Sequence, residues 1–135
     1  KIRTPKASMA ASDVSAVPEV RSFLFDLQRD IAVKNNCIMD GRDIGTVVLP
    51  NADVKIFLTA SPESRAMRRY NELKEKGASV GYDEVLADLK ERDYNDSHRK
   101  IAPLKPAKDS ITVDTTLFTL EESIKKITDI IREHM

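Results

Sequence analysis

The sequence predicts an α/β fold in which a narrow parallel sheet is covered on both faces by helices. Three observations lead there. Short apolar runs of strand length, Cys37-Ile38-Met39, Val54 to Ala60 and Ser110 to Val113, are separated by longer segments with apolar residues every three or four positions. Strands that alternate with helices pair in parallel, through right-handed crossovers, and are buried on both faces. The first run also ends in Asp40-Gly41, an acid and a glycine at the carboxyl end of a strand, where ligands collect in open α/β sheets. Three strands are few for so many helices, so part of the sheet is expected to be missing.

Taken in order, residues 1 to 16 read as an extended entry and a short helix with Ala7, Ala10, Ala11 and Val14 at roughly helical spacing. Pro18 and Glu19 suit the first turn of a second helix, whose Val20, Leu24, Leu27 and Ile31 form one buried stripe, and Asn35-Asn36 ends it. Ser61-Pro62-Glu63 starts a helix that runs to about Gly77 on a thin inner stripe of Ala66, Tyr70 and Leu73, with Arg65, Arg68 and Arg69 on its outside. So thin a stripe predicts a lightly packed, mobile helix. Asp83 is expected to cap the next helix, with Val85, Leu86 and Leu89 inward. Pro103 and Pro106 stiffen a connector. Thr119 and Glu122 form a capping box for a closing helix lined by Leu120, Ile124, Ile127 and Ile131.

Composition bounds the function. The 135 residues suit one core, and 22 basic residues cancel 22 acidic ones, so no field of one sign draws the chain to nucleic acid or to a membrane. Any anion site has to be a local arginine cluster. No apolar run reaches membrane-spanning length. The single cysteine, Cys37, excludes an internal disulfide, fits a reducing cytoplasm and reads as core filler.

Two clusters carry chemistry. Arg42 and Asp43, directly after Asp40-Gly41, set a guanidinium fork beside a carboxylate, able to bind an anionic oxygen and to accept from an amine. Arg92, Asp96 and Arg99, spaced four and three apart on a helix, share one side, so that the carboxylate can hold both guanidinia. By spacing alone this trio is either surface decoration or a phosphate clamp. His98 reads as exposed, because no second His or Cys stands at metal spacing.

Together, Asp40-Gly41-Arg42-Asp43-Ile44-Gly45-Thr46, Arg92-Asp-x-x-Asp96-x-x-Arg99, Ala102-Pro103-Leu104-Lys105-Pro106-Ala107, Ile2-Arg3-Thr4 and Val17-Pro18-Glu19-Val20-Arg21 resemble the bacterial cytidylate kinase family of nucleoside monophosphate kinases. The resemblance covers essentially the whole chain. It implies a three-layer, parallel-sheet P-loop NTPase-like fold and cytoplasmic transfer of the ATP γ-phosphate to CMP or dCMP, giving CDP or dCDP, with Mg²⁺. Ser12, Arg21 and Asp43 would read the cytosine, Asp43 by accepting from its exocyclic amine. Arg42, Arg92 and Arg99 would hold the acceptor phosphate, and Asp96 the sugar hydroxyl and Arg92. The basic helix with Arg65, Arg68 and Arg69 resembles a lid, with Arg68 touching the donor, and Asp40 would hold Mg²⁺ through water.

The resemblance also implies what to look for and not find. None of the four glycines, Gly41, Gly45, Gly77 and Gly81, belongs to a G-x-x-x-x-G-K-[ST] phosphate loop. The expectation is therefore the C-terminal part of a kinase domain lacking the first strand and its loop. Residues 1–34 would end the CMP-binding region, 62–106 would form the lid and its flanking helices, and 36–60 with 107–135 the core. Such a chain alone would hold the acceptor nucleotide and transfer little phosphate. The alternatives are a non-catalytic cytidine-nucleotide-binding module, or a piece that self-associates through exposed sheet edges.

Overall fold

A computed structural model describes residues 4 to 134, so the Ile2-Arg3 part of the resemblance lies outside the described residues. The elements are α1 (Pro5–Ser15), α2 (Pro18–Lys34), a wide π turn (Ile44–Val48), β1 (Ile56–Thr59), α3 (Pro62–Glu75), α4 (Tyr82–His98), β2 (Ile111–Asp114) and α5 (Leu120–His134). The fold is mixed α/β with a small parallel sheet, as expected. The chain divides into two compact units, one of residues 1–51 and 92–105, the other of 52–91 and 106–135. Helix α4 contributes its last turns to the first unit and the rest to the second.

In the second unit β1 and β2 pair in parallel, with Ile56 opposite Ile111 and Thr59 opposite Asp114. Lys55 braces the start of the pair on Asp109, and Thr115 continues the ladder by donating to the Thr59 carbonyl. Helix α3 begins as read, Ser61 Oγ accepting from Ser64 N at 3.1 Å with Pro62 in the first turn. Its buried face is thin, as read, and rests on two residues. Ala66 and Leu73 join Val85 of α4 in a buried cluster, flanked by Tyr70, Ala78, Val80, Tyr82 and Leu86, with the Tyr70 and Tyr82 rings edge to face at 6.2 Å. The tyrosines fill the margin of that cluster. Gly77 takes φ +75° just past α3, the left-handed exit that closes a helix. Asp83 falls inside the first turn of α4 and not at its cap. The Thr119–Glu122 capping box forms reciprocally at 2.8 and 3.2 Å. On α5, Ile130 is the buried residue, while Leu120 and Ile124 stay exposed.

The first unit departs further from expectation. Residues 37–39 form no strand, Ile38 is 91% exposed, and Cys37 is exposed and not core filler. A strand exists only as one side of a ladder, and this run has no partner strand among the described residues. The same cause exposes α2. Its stripe has no buried member, and Leu24, Leu27 and Ile31 remain partly open, because the unit holds no sheet face for it to cover among the described residues. What orders this unit is polar. No helix among the described residues is long and apolar enough to cross a membrane.

Candidate functional site

The turn after Asp40 is built to fix two side chains. A Cβ on Gly41 would lie 2.7 Å from Cγ1 of Ile44, so the chain folds back on itself here only with glycine at that position. The π turn follows. The Asp43 carbonyl accepts from Val47 N at 2.8 Å and, at 3.3 Å each, from Thr46 N and Val48 N, while Leu49 N donates to the Ile44 carbonyl at 2.7 Å. Wide turns of this kind recur at functional sites because they re-aim a side chain within an otherwise tied backbone. Val48 is buried and anchors the turn from beneath. The Asp43 backbone is thus tied three times, and its carboxylate is left for other partners.

Those partners are arginines. Asp43, 8% exposed, pairs through Oδ2 with Arg21 of α2, and through Oδ1 with Arg99 Nη2 at 3.4 Å. Arg21 also donates from Nη1 to the Ser15 carbonyl at 3.2 Å. Arg99, just past α4, further donates from Nε to the Ala102 carbonyl at 2.7 Å. Ala102 holds that carbonyl in place from a left-handed backbone, φ +48°.

Asp96 forms a second centre. At 4% exposed it accepts from Ser12 Oγ at 2.9 Å on Oδ1 and from Arg42 Nε at 2.9 Å on Oδ2, and Arg92 Nε lies 3.8 Å from Oδ2. Each guanidinium keeps donors in reserve, since it has five N–H groups. Arg42 spends only Nε, and its terminal nitrogens make no hydrogen bond among the described residues. A buried carboxylate between guanidinia is costly unless every lone pair is used, and here both are held by at least two elements. The trio read from spacing is therefore redistributed: Asp96 holds Arg42 and neighbours Arg92, whereas Arg99 leaves it for Asp43. Position explains the exchange: Arg99 is the first residue past α4, and its guanidinium turns to the Ala102 carbonyl and Asp43.

These residues line one cavity of about 500 Å³, together with Gly41, Asp40, Ile44 and Phe25. That is the size and mixed lining of a small-molecule site. Of the residues singled out from sequence, Ser12, Arg21, Asp40, Arg42, Asp43, Arg92, Asp96 and Arg99 are brought together. Arg68 is not among them. It belongs to the second unit, where it donates to the Thr115 carbonyl, to Thr115 Oγ1 at 3.3 Å and to the Phe118 carbonyl at 3.4 Å, tying α3 to the segment after β2. His98 is exposed as expected and stacks on Tyr94 with ring centres 4.0 Å apart. The sequence reading missed Ser8, Ser15 and Ala102. For the serines the signal was there, in their spacing of four and three residues from Ser12.

A sequence model of the cytidylate kinase family matches residues 1–133. Among curated relatives, the chain is 53% identical over 133 residues to a cytidylate kinase of Fervidobacterium nodosum, covering 98% of this chain and 61% of that protein. It is 53% identical over 131 residues to one of Clostridium tetani, covering 97% and 58%, and 48% identical over 135 residues to one of Pasteurella multocida, covering 100% and 60%. The chain thus spans about three fifths of the length of the relatives it matches.

Proposed function

The chain belongs to the cytidylate kinase family, and from that premise we propose that it carries the acceptor side of phosphoryl transfer from ATP to CMP or dCMP. The observation that supports this is the gathering of Arg21, Arg42, Arg92 and Arg99 around two buried carboxylates in one cavity. Four arginines against Asp43, Asp96 and the exposed Asp40 leave the cavity net positive, the sign that draws a phosphate monoester of roughly −1.5 to −2 near neutral pH. Arg42, with its terminal nitrogens unspent, is the first to take the phosphate, joined by Arg92 and Arg99. Asp43, Arg21 and Ser12 meet the base. A carboxylate oxygen accepts from the cytosine amine, whereas uracil presents an acceptor at that edge and leaves both groups unpaired.

Phosphoryl transfer is then positioning and charge neutralisation. The arginines fix the attacking phosphate oxygen and neutralise charge on the oxygens around the transferred group. A metal would be held sparsely. No group of three or more His, Cys, Asp or Glu is placed to hold an ion among the described residues, and Asp40 is a single exposed carboxylate on the cavity wall. That set fits Mg²⁺ carried by nucleotide phosphates and touched through water, and a bound ion would neutralise donor-phosphate charge. These 135 residues include no glycine-rich phosphate cradle. Donor contact by Arg68 and lid closure by α3 belong to the same proposal.

Calorimetric titration of the chain with CMP, UMP and ATP tests it. The expected result is saturable CMP binding, UMP weaker by about fivefold to 150-fold as an unpaired buried group costs about 1 to 3 kcal/mol, and no ATP response. Equal affinity for CMP and UMP would refute the base reading. CDP formation at an ordinary kinase rate of roughly 1 to 100 per second would refute the absence of a donor cradle.

A further inference from the structure

Three hydrogen bonds in the first unit repeat at a constant offset along the chain. Arg92 Nη1 donates to Ser8 Oγ, Ser12 Oγ donates to Asp96 Oδ1 at 2.9 Å, and Arg99 Nη1 donates to Ser15 Oγ at 3.3 Å, each pair being 84 residues apart. Ser8, Ser12 and Ser15 follow one another by four and three residues along α1, and Arg92, Asp96 and Arg99 do the same along the end of α4 and the residue after it, whose N–H still donates to the Asn95 carbonyl at 3.1 Å. That spacing lines a single face of a helix. A constant offset means that the two faces meet with the chains running in the same direction, hydroxyl against charge at every rung. Serine suits both kinds of rung, because a hydroxyl can accept from a guanidinium and donate to a carboxylate. Alanine would serve α1 better as a helix former, so three serines on one face carry a propensity cost that the rungs offset.

We propose that Ser8 and Ser15 are positioning residues, which fix the guanidinia of Arg92 and Arg99 before any nucleotide arrives. For its ligand this rests on the acceptor-site reading above; for its geometry it does not. A long side chain that is already oriented loses less freedom when it meets a phosphate, and that saving appears as affinity. Neither guanidinium depends on its serine alone: Arg99 is also held by Asp43 and the Ala102 carbonyl, and Arg92 also meets Asp96.

Arginine side-chain NMR of the unliganded chain tests the ladder directly. Ser8→Ala should shift and broaden the Nε–Hε resonance of Arg92 and leave that of Arg99 in place. Ser15→Ala should do the converse, and Ser8→Thr, which keeps the hydroxyl, should restore the parent spectrum. On titration, Ser8→Ala should weaken CMP about fivefold, the equivalent of one hydrogen bond of about 1 kcal/mol, and leave cytidine unchanged because it has no phosphate. Resonances that do not move, or that move together in both variants, overturn the ladder, and equal losses for CMP and cytidine overturn the positioning role. If the parent chain binds neither ligand, the acceptor-site reading falls, and the arginine resonances still decide whether the ladder exists.

Discussion

Replacing Asp43 by Asn keeps the shape of the side chain and removes its charge. In the structure the carboxylate is 8% exposed and gives one oxygen to Arg21 and the other to Arg99, whose side chain is itself only 9% exposed. An amide retains one acceptor and turns the other into a donor. One guanidinium then keeps a neutral hydrogen bond, and the other faces an N–H₂ group with little water to replace what it lost. A hydrogen bond to a charged group contributes about 1.5 to 3 kcal/mol, and breaking a buried pair by removing one partner costs about 3 to 5 kcal/mol. Retention of one acceptor puts Asp43→Asn at about 3 kcal/mol. With a urea slope of about 2 kcal/mol per molar, the unfolding midpoint should fall by about 1.5 M. The chain has no tryptophan, so far-UV circular dichroism is the suitable probe. A midpoint lower by less than about 0.3 M at unchanged slope would mean that Arg21 and Arg99 find water or other acceptors as readily as Asp43. The buried carboxylate would then not be what orders the first unit.

Three further outcomes follow from the second unit. Leu73→Ala, in the cluster with Ala66 and Val85, should cost about 2 to 4 kcal/mol in the same urea assay, and a loss below about 1 would mean that the cluster collapses around the gap. Gly77→Ala should cost up to about 1 kcal/mol, the strain of about 1 to 2 at φ +75° less the roughly 0.5 to 1 that alanine recovers in chain freedom, because a Cβ there meets nothing within 4 Å; a raised midpoint would show that the exit relaxes. Glu72 is held down to about 2 by hydrogen bonds from Lys76 and then Arg69, against an ordinary 4.5. Its folded value lies below its unfolded one, so its stabilisation is complete above pH 4.5 and is lost as pH falls toward 2. Glu72→Gln should flatten the urea midpoint against pH across that interval, and an unaltered acid limb would exclude Glu72 as its source.

Sequence alone carried the helices far better than the sheet. Ser61-Pro62, Thr119 with Glu122, and Pro18 are local signals, satisfied within one turn, and they mark three helix starts in the structure. The run Cys37-Ile38-Met39 has the composition of a strand, but pairing is decided by a neighbour, and composition carries no information about whether one is present. The same limit made α2 look buried. At the site, residue types and approximate gathering were legible because Arg42-Asp43 and Arg92-x-x-x-Asp96 are local patterns. Partner assignment was not. Whether Arg99 turns to Asp96 or to Asp43 depends on where α4 ends relative to the π turn, a tertiary fact. The spacing of Ser8, Ser12 and Ser15 marks a serine face on α1, but what that face meets is again a tertiary fact.

Ala102 bears on how the site tolerates change. A left-handed alanine carries roughly 1 to 2 kcal/mol of steric strain that glycine would not, while glycine loses roughly 0.5 to 1 kcal/mol more freedom on folding. The two nearly cancel, so Ala102→Gly should be close to silent in stability. It would not be silent in the spread of conformations. The residue that presents the carbonyl to Arg99 would gain backbone states forbidden to alanine, and the guanidinium would follow its acceptor among them. A position of this kind is neutral to any screen for folding and visible only to a measurement of order, so the narrowness of the arginine's setting can drift in a lineage while the fold stays equally stable.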